Sequence, residues 1–243
     1  TMGEDPYMIG NDYENFLDIV SSIRDEVGIP VMASPGAVPH DCFPKLRDAG
    51  ADIVACYQET YNRGLFAERR LGQDFDYRRN QKVWAMENGM LAEDGMMVGI
   101  GETVEDRVHA IREMISLGCD QVRAMTFVPQ AGTPMESSGT VDSVNELLCL
   151  AAMRLLRHDV LIPATLDVEG VAGMRTRPDA GANVVTSIIP PASHLAGVAQ
   201  CSMDIEDGHR CADYVISLLK EIGREPATAT DLKAEFARRK DRL

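Results

Sequence analysis

Residues 94–128, DGMMVGIGETVEDRVHAIREMISLGCDQVRAMTFV, contain one complete strand–helix–strand unit. Asp94 to Ile100 reads as a strand through the apolar run Met96, Met97, Val98 and Ile100. Thr103-Val104-Glu105-Asp106 then opens a helix, with a hydroxyl to cap it and an acid three residues on. Val104, Val108, Ile111 and Ile115 recur at helical spacing along one face. Gln121 to Val128 returns as a strand. Strands joined by helical crossovers favour a parallel sheet, because a hairpin cannot connect parallel neighbours.

The same unit extends in both directions. Upstream, Asn11 with Glu14 predicts a capped helix whose apolar stripe is Tyr13, Phe16, Leu17, Val20 and Ile23, ended by Gly28. Ile29 to Ala33 reads as a strand closed by Ser34-Pro35-Gly36. A short helix near 44–49 leads to a strand from Asp52 to Tyr57, with Gln58-Glu59-Thr60 at its end. Residues 61–80 are irregular and arginine-rich, and a helix from about Phe75 to Asn88 follows. Downstream come a helix from Val144 to Arg157, a strand from Leu161 to Asp167, a short helix near Gly173 and a strand from Asn183 to Ile189. Two more amphipathic helices are expected, at about 210–222 and 230–239.

Six strands are therefore expected, and several end in polar residues: Ser34, Glu59, Arg123, Thr165, Asp167 and Ser187. A (β/α)8 TIM-type barrel builds its active site from such strand ends. An open doubly wound sheet fits the same alternation. The chain starts Thr1-Met2-Gly3-Glu4-Asp5, at the top of what reads as a strand and with no initiator methionine. The expectation is accordingly a barrel represented without its first strands: one domain, with barrel units over about 1–191 and a helical tail over about 192–243.

Composition narrows the partners. With 243 residues and 45% hydrophobic content the chain can bury a sizeable core. A formal net charge of −14 disfavours nucleic acid and anionic membranes, which repel an acidic surface. No apolar run approaches the ~18 residues of a membrane span. Cys42, Cys56, Cys119, Cys149, Cys201 and Cys211 form no C-x-x-C pair and read as reduced thiols of a cytoplasmic protein. The five histidines show no triad or metal spacing.

Two places read as chemistry. Arg123 alternates with apolar neighbours on a strand, and a guanidinium in a core is costly unless paired; it would meet a carboxylate bidentately or form a structural ion pair. Asp167 shares a strand face with Thr165, so the two could hold an amine and a polar end of one ligand, although a helix cap is the rival for Asp167. Gly99-Ile100-Gly101-Glu102-Thr103 lacks the G-x-G-x-x-G spacing and a P-loop lysine, and capping of the next helix accounts for it nearly as well.

The segments Thr1 to Pro6, Val31 to Gly36, Tyr57 to Thr60 and Gly99 to Glu102 resemble the radical S-adenosylmethionine barrels related to biotin synthase. More narrowly, Val122 to Gln130, Leu161 to Gly170 and Ala180 to Pro191 resemble the methylornithine synthases of pyrrolysine biosynthesis. The resemblance implies an isomerase that converts L-lysine to (3R)-3-methyl-D-ornithine. It implies S-adenosyl-L-methionine, a [4Fe–4S] cluster that cleaves it reductively, and an electron-donor protein. By matched position, Gly3, Glu4, Asp5, Ser34, Glu59, Arg70 and Arg78 would bind the S-adenosyl-L-methionine. Arg123 would take the substrate carboxylate, and Thr165, Asp167 and Ser187 its amino groups. The family's C-x-x-x-C-x-x-C motif is absent from the chain, so no cluster ligands are assigned and the chain alone is expected to be inactive. A biotin-synthase-like enzyme acting on another small amine, and a non-catalytic remnant or split subunit, are the alternative readings.

Overall fold

The computed structural model describes residues 5–194 and 205–243. The chain forms two compact units, one of Thr1–Gly95, Arg112–Gln121 and Ala227–Leu243, the other of Met96–Ile111 and Val122–Pro226.

In the first unit, β1 (Val31–Ala33), β2 (Ala51–Ala55) and the start of β3 (Leu91–Val98) lie side by side and parallel. The registers pair Met32 with Ile53, and Ile53 with Leu91. Every residue of β2 is buried, as expected for a strand covered on both faces. Helices α1 (Pro6–Ile9), α2 (Glu14–Val27), α3 (Cys42–Asp48), α4 (Arg63–Arg69) and α5 (Phe75–Glu87) precede β3. Phe16 and Val20 of α2 pack with Val31, Phe43, Leu46 and Val54 in one core cluster, which is what the apolar stripe on α2 anticipated.

Two local expectations need correcting. Asn11 does not cap α2: Asn11, Asp12 and Tyr13 all have positive φ, and the Asn11 side-chain amide donates to the Glu14 carboxylate instead. The arginine-rich stretch also holds a real helix, α4, started by Asn62, whose side chain accepts from the Leu65 N–H at 3.1 Å. With seven residues and only Leu65 and Phe66 buried, α4 is too short to show an apolar period.

In the second unit, α6 (Val104–Ser116) begins with the expected reciprocal cap. Thr103 Oγ1 accepts from the Asp106 N–H at 3.1 Å, and Asp106 accepts from the Thr103 N–H at 2.9 Å. β4 (Gln121–Thr126) leads out to the Phe127 N–H, which donates to Val98 O at 2.8 Å, and the Val122 N–H donates to Leu161 O at 2.9 Å. β5 (Pro163–Thr165) and β6 (Val184–Thr186) pair in parallel. Both are shorter than the alternation suggests. Beyond Thr165 the Asp167 N–H is taken by the Thr165 hydroxyl at 3.2 Å, and Ser187 turns to φ 66°. Side-chain bonds and a left-handed residue replace the ladder there. The 13-residue helix α7 (Val144–Leu156) buries Glu146 along with Cys149, Leu150 and Met153. Among the described residues no helix is long and apolar enough to cross a membrane.

The helix Ala229–Lys240 is held in the first unit by its basic last turn. Arg239, 2% exposed, donates to Asp120 O at 3.3 Å and lies 3.6 Å from the Asp120 carboxylate, while Lys240 meets Asp52 at 2.6 Å. Asp52 also accepts from Arg24 at 2.7 Å and from the Val31 N–H at 2.9 Å, so one carboxylate ties α2, β1, β2 and this helix together. Breaking a buried ion pair leaves a buried charge uncompensated, so Arg239→Ala is expected to lower the unfolding free energy by about 3 kcal/mol. The neighbouring Arg238→Ala removes an exposed pair and should cost under ~1 kcal/mol. Denaturant titration of the two variants side by side checks this contrast.

Candidate functional site

Glu59 sits just past β2 with φ 66°, a conformation uncommon for a residue with a side chain. Hydrogen bonds from two backbone N–H groups, its own and that of the residue before it, hold it there. The Glu59 N–H donates to Gly95 O at 2.9 Å, and the preceding Gln58 N–H donates to the Asp94 carboxylate at 2.7 Å. The Glu59 carboxylate itself takes no hydrogen bond among the described residues. Burial pushes its pKa up, and the guanidinium charges of Arg70 and then Arg78 pull it back down. Those two arginines meet on one amide: Arg70 Nε and Arg78 Nη1 both donate to Gln73 Oε1, at 3.1 and 3.2 Å. Arg78 Nε also donates to Tyr57 O at 2.6 Å. The structure thus brings Glu59, Arg70 and Arg78 together.

Ser34 and Asp5 line a cavity of about 450 Å³ together with Phe16, Val20, Val31 and Met32. Asp5 has a second task, because its carboxylate caps α1 by accepting from the Tyr7 and Met8 N–H groups. Gly3 and Glu4 lie outside the described residues.

The second unit holds another cluster. Thr165 at the end of β5 and Asp167 are both buried, and Asp167 collects three partners. Its Oδ2 accepts from Ser187 Oγ and from Thr165 Oγ1, the latter at 3.2 Å, and the two hydroxyls are 3.4 Å apart. Its Oδ1 accepts from Arg210 Nη1 at 2.8 Å, with the Arg210 side chain wholly buried. Asp167 is therefore not a helix cap; the following 3-10 turn, Gly170–Met174, has no side-chain cap bond. Arg210 had no sequence signal, since 43 positions separate it from Asp167. Arg123, the arginine of β4, is 9% exposed.

A third buried system braces this unit. Glu146 accepts from the Thr126 N–H and hydroxyl, at 2.9 and 2.7 Å, and from Arg177 at 2.6 Å, while Arg177 also reaches Glu169 at 3.0 Å. The end of β4 is thereby tied to the turn that follows Asp167. The Gly99–Glu102 loop binds its own ligand: the Glu102 carboxylate accepts from the Gly99 and Ile100 N–H groups at 2.9 Å. Those N–H groups are spent internally, which rules against a phosphate cradle.

No protein-family model matches the chain. The 3-methylornithine synthase of Methanosarcina barkeri (strain Fusaro / DSM 804) is 42% identical to it over 234 residues, 96% of this chain and 67% of the relative. The chain belongs to the 3-methylornithine synthase family. A crystal structure of a methylornithine synthase superposes with a TM-score of 0.90 at 40% identity, covering 96% of this chain and 69% of that one. The fold is that of the radical S-adenosylmethionine barrels. A biotin synthase of Pelotomaculum thermopropionicum is more distant, at 28% identity over 152 residues, 63% of this chain and 47% of the relative. The chain spans about two-thirds of the length of the 3-methylornithine synthases it matches.

Enzymes of this family use S-adenosyl-L-methionine and a [4Fe–4S] cluster, and the two groups fare differently here. Glu59, whose carboxylate takes no hydrogen bond among the described residues, offers with Arg70 and Arg78 an acceptor and two cations suited to a ligand carrying an amine, hydroxyls and a carboxylate. The cluster does not fit: the chain has no C-x-x-x-C-x-x-C spacing, and among the described residues no group of three metal-binding side chains comes together. Burial raises the Cys42 and Cys149 thiols to about 11, and Cys56 upward as well. Such thiols are poor nucleophiles and poor metal ligands. Native labelling with iodoacetamide at pH 8 should therefore modify Cys211 well before Cys42, Cys56, Cys119 and Cys149, which are buried. Anaerobic incubation of the chain with iron and sulfide should leave no stoichiometric [4Fe–4S] centre, read by iron and sulfide analysis.

Proposed function

We propose that this chain carries the ligand-binding part of a lysine-to-methylornithine isomerase of pyrrolysine biosynthesis. The substrate is L-lysine and the product (3R)-3-methyl-D-ornithine. S-adenosyl-L-methionine, held by Glu59, Arg70 and Arg78 and given one electron by the cluster of the whole enzyme, would supply the radical that takes a hydrogen from the substrate. An electron-donor protein would serve the whole enzyme, and the compartment is the cytoplasm, in keeping with the free thiols.

The residues divide the work. Glu59 accepts from the adenosyl ligand, with Arg70 and Arg78 supplying positive charge beside it, and Ser34 adds a hydroxyl. Asp5 shapes the turn by capping α1, in a segment shared with Gly3 and Glu4. Arg123 pairs with the lysine carboxylate through its planar fork. Thr165, Asp167 and Ser187 receive the amino end. The observation that carries this reading is the convergence of the Thr165 and Ser187 hydroxyls on one oxygen of buried Asp167. Such a group of acceptors, fixed by Arg210 on the other oxygen, suits an ammonium donor. A pocket made to hydrogen-bond a substrate amine leaves buried groups unpaired with any analogue that lacks it, and so rejects that analogue strongly.

Calorimetric titration of L-lysine into the chain tests the assignment. Arg123→Lys keeps the charge but loses the fork, and Asp167→Asn disturbs the carboxylate that orients the Thr165 and Ser187 hydroxyls, at little change in volume. Each should weaken lysine binding by at least ~10-fold, the value of one or two charge-assisted hydrogen bonds. Binding of S-adenosyl-L-homocysteine should stay within about twofold in both variants. Unchanged lysine affinity in both would overturn the assignment.

A further inference from the structure

Asp94, Lys82 and Tyr61 form a polar knot with no outlet to water. The side chains of Lys82 and Asp94 are both 0% exposed and lie 3.6 Å apart. Lys82 Nζ donates to Cys56 O, Gln58 Oε1 and Arg78 O at 2.9–3.1 Å. Asp94 Oδ2 accepts from the Tyr61 hydroxyl at 2.6 Å, and its Oδ1 accepts from the Gln58 and Gly95 N–H groups at 2.7 and 2.8 Å. Burial, with the Asp94 charge next, drives the Tyr61 phenol far above its ordinary range, so it serves as a permanent donor.

Four of these six bonds reach residues 56–61, and the residue at the centre of that stretch is Glu59 at φ 66°. A left-handed side-chain residue is strained and persists only where its surroundings over-determine it. Here they do. Asp94 holds the N–H before Glu59 and the side chain of Tyr61 beyond it, Lys82 holds the Cys56 carbonyl and the Gln58 side chain, and Gly95 O holds Glu59 itself. Lys82 also takes the Arg78 carbonyl, so the same knot anchors an arginine that acts electrostatically on Glu59.

We propose that Asp94, neutralised by Lys82, is the positioning residue for Glu59: it stores the backbone strain that presents the Glu59 carboxylate, and it acts on ligand binding through Glu59 alone. The proposal rests on the reading of Glu59 as a contact to the adenosyl ligand.

A double-mutant cycle tests it, with S-adenosyl-L-homocysteine titrated into the full chain. Glu59→Gln should weaken binding by at least ~10-fold, in line with a lost charge-assisted bond. Asp94→Asn should weaken it by a comparable factor. The double variant should bind within about twofold of Glu59→Gln, because residues acting as one unit are not additive. A merely structural Asp94 would give additive losses, and that result, or wild-type affinity in Asp94→Asn, overturns the proposal and spares Glu59. Wild-type affinity in Glu59→Gln, or no binding by the unsubstituted chain, overturns the reading of Glu59 and the proposal with it. If Asp94→Asn fails to fold, Tyr61→Phe replaces it in the same cycle, deleting one donor to the same carboxylate and leaving the ion pair in place.

Discussion

Lys82 and Asp94 surrender all their contact with water, and their surroundings must make good that loss. A buried ion is tolerated only when a counter-charge and hydrogen bonds replace its hydration. Asp94 accordingly takes three donors besides Lys82, and Lys82 takes three acceptors besides Asp94. The polar face of α5 follows from this. A helix that buries Arg78, Gln81 and Lys82 cannot look amphipathic, because its inward face exists to serve carbonyls and a carboxylate.

The same constraint recurs in the second unit. Glu146 is answered by Arg177 and Thr126, and Asp167 by Arg210, Thr165 and Ser187. Gly173 is part of that solution, since a Cβ there would come within 1.8 Å of Arg177 Nη1. These pairs contribute little net stability compared with apolar packing, yet loss of one partner costs about 3–5 kcal/mol. They make the strand ends stiff, which is what a site needs if its side chains are to meet a ligand without first rearranging. Glu59 and Ser187, one in each unit, both adopt left-handed backbone at strand ends. Strained residues of this kind cluster at ligand-binding positions.

Much of this was legible in the chain itself. The Thr103 cap and the Gly28 stop rest on bonds between near neighbours, so local residue types were enough to place them. The order of β3, α6 and β4 was legible too, although β3 runs over Leu91–Val98 rather than 94–100 and β4 ends at Thr126 rather than Val128. Glu59 and Asp167 stood out because a polar residue at the end of a buried strand has few structural reasons to be there. The α4 helix and the short extents of β5 and β6 escaped, because each departs from a period too short to read over a few residues. Asn11 misled because it bonds to a side chain rather than to a helix N–H.

What the order of residues determined by itself is the alternation of strands and helices, the parallel pairing it demands, and the polar groups at the strand ends, all set by periodicities of a few residues. What only the tertiary structure decided is which charge answers which: Arg210 for Asp167, Arg177 for Glu146, Lys82 for Asp94, Lys240 for Asp52. The partners in these pairs stand from 12 to 188 positions apart. Their pairing depends on desolvation, and desolvation is a property of the packed chain that no local pattern encodes.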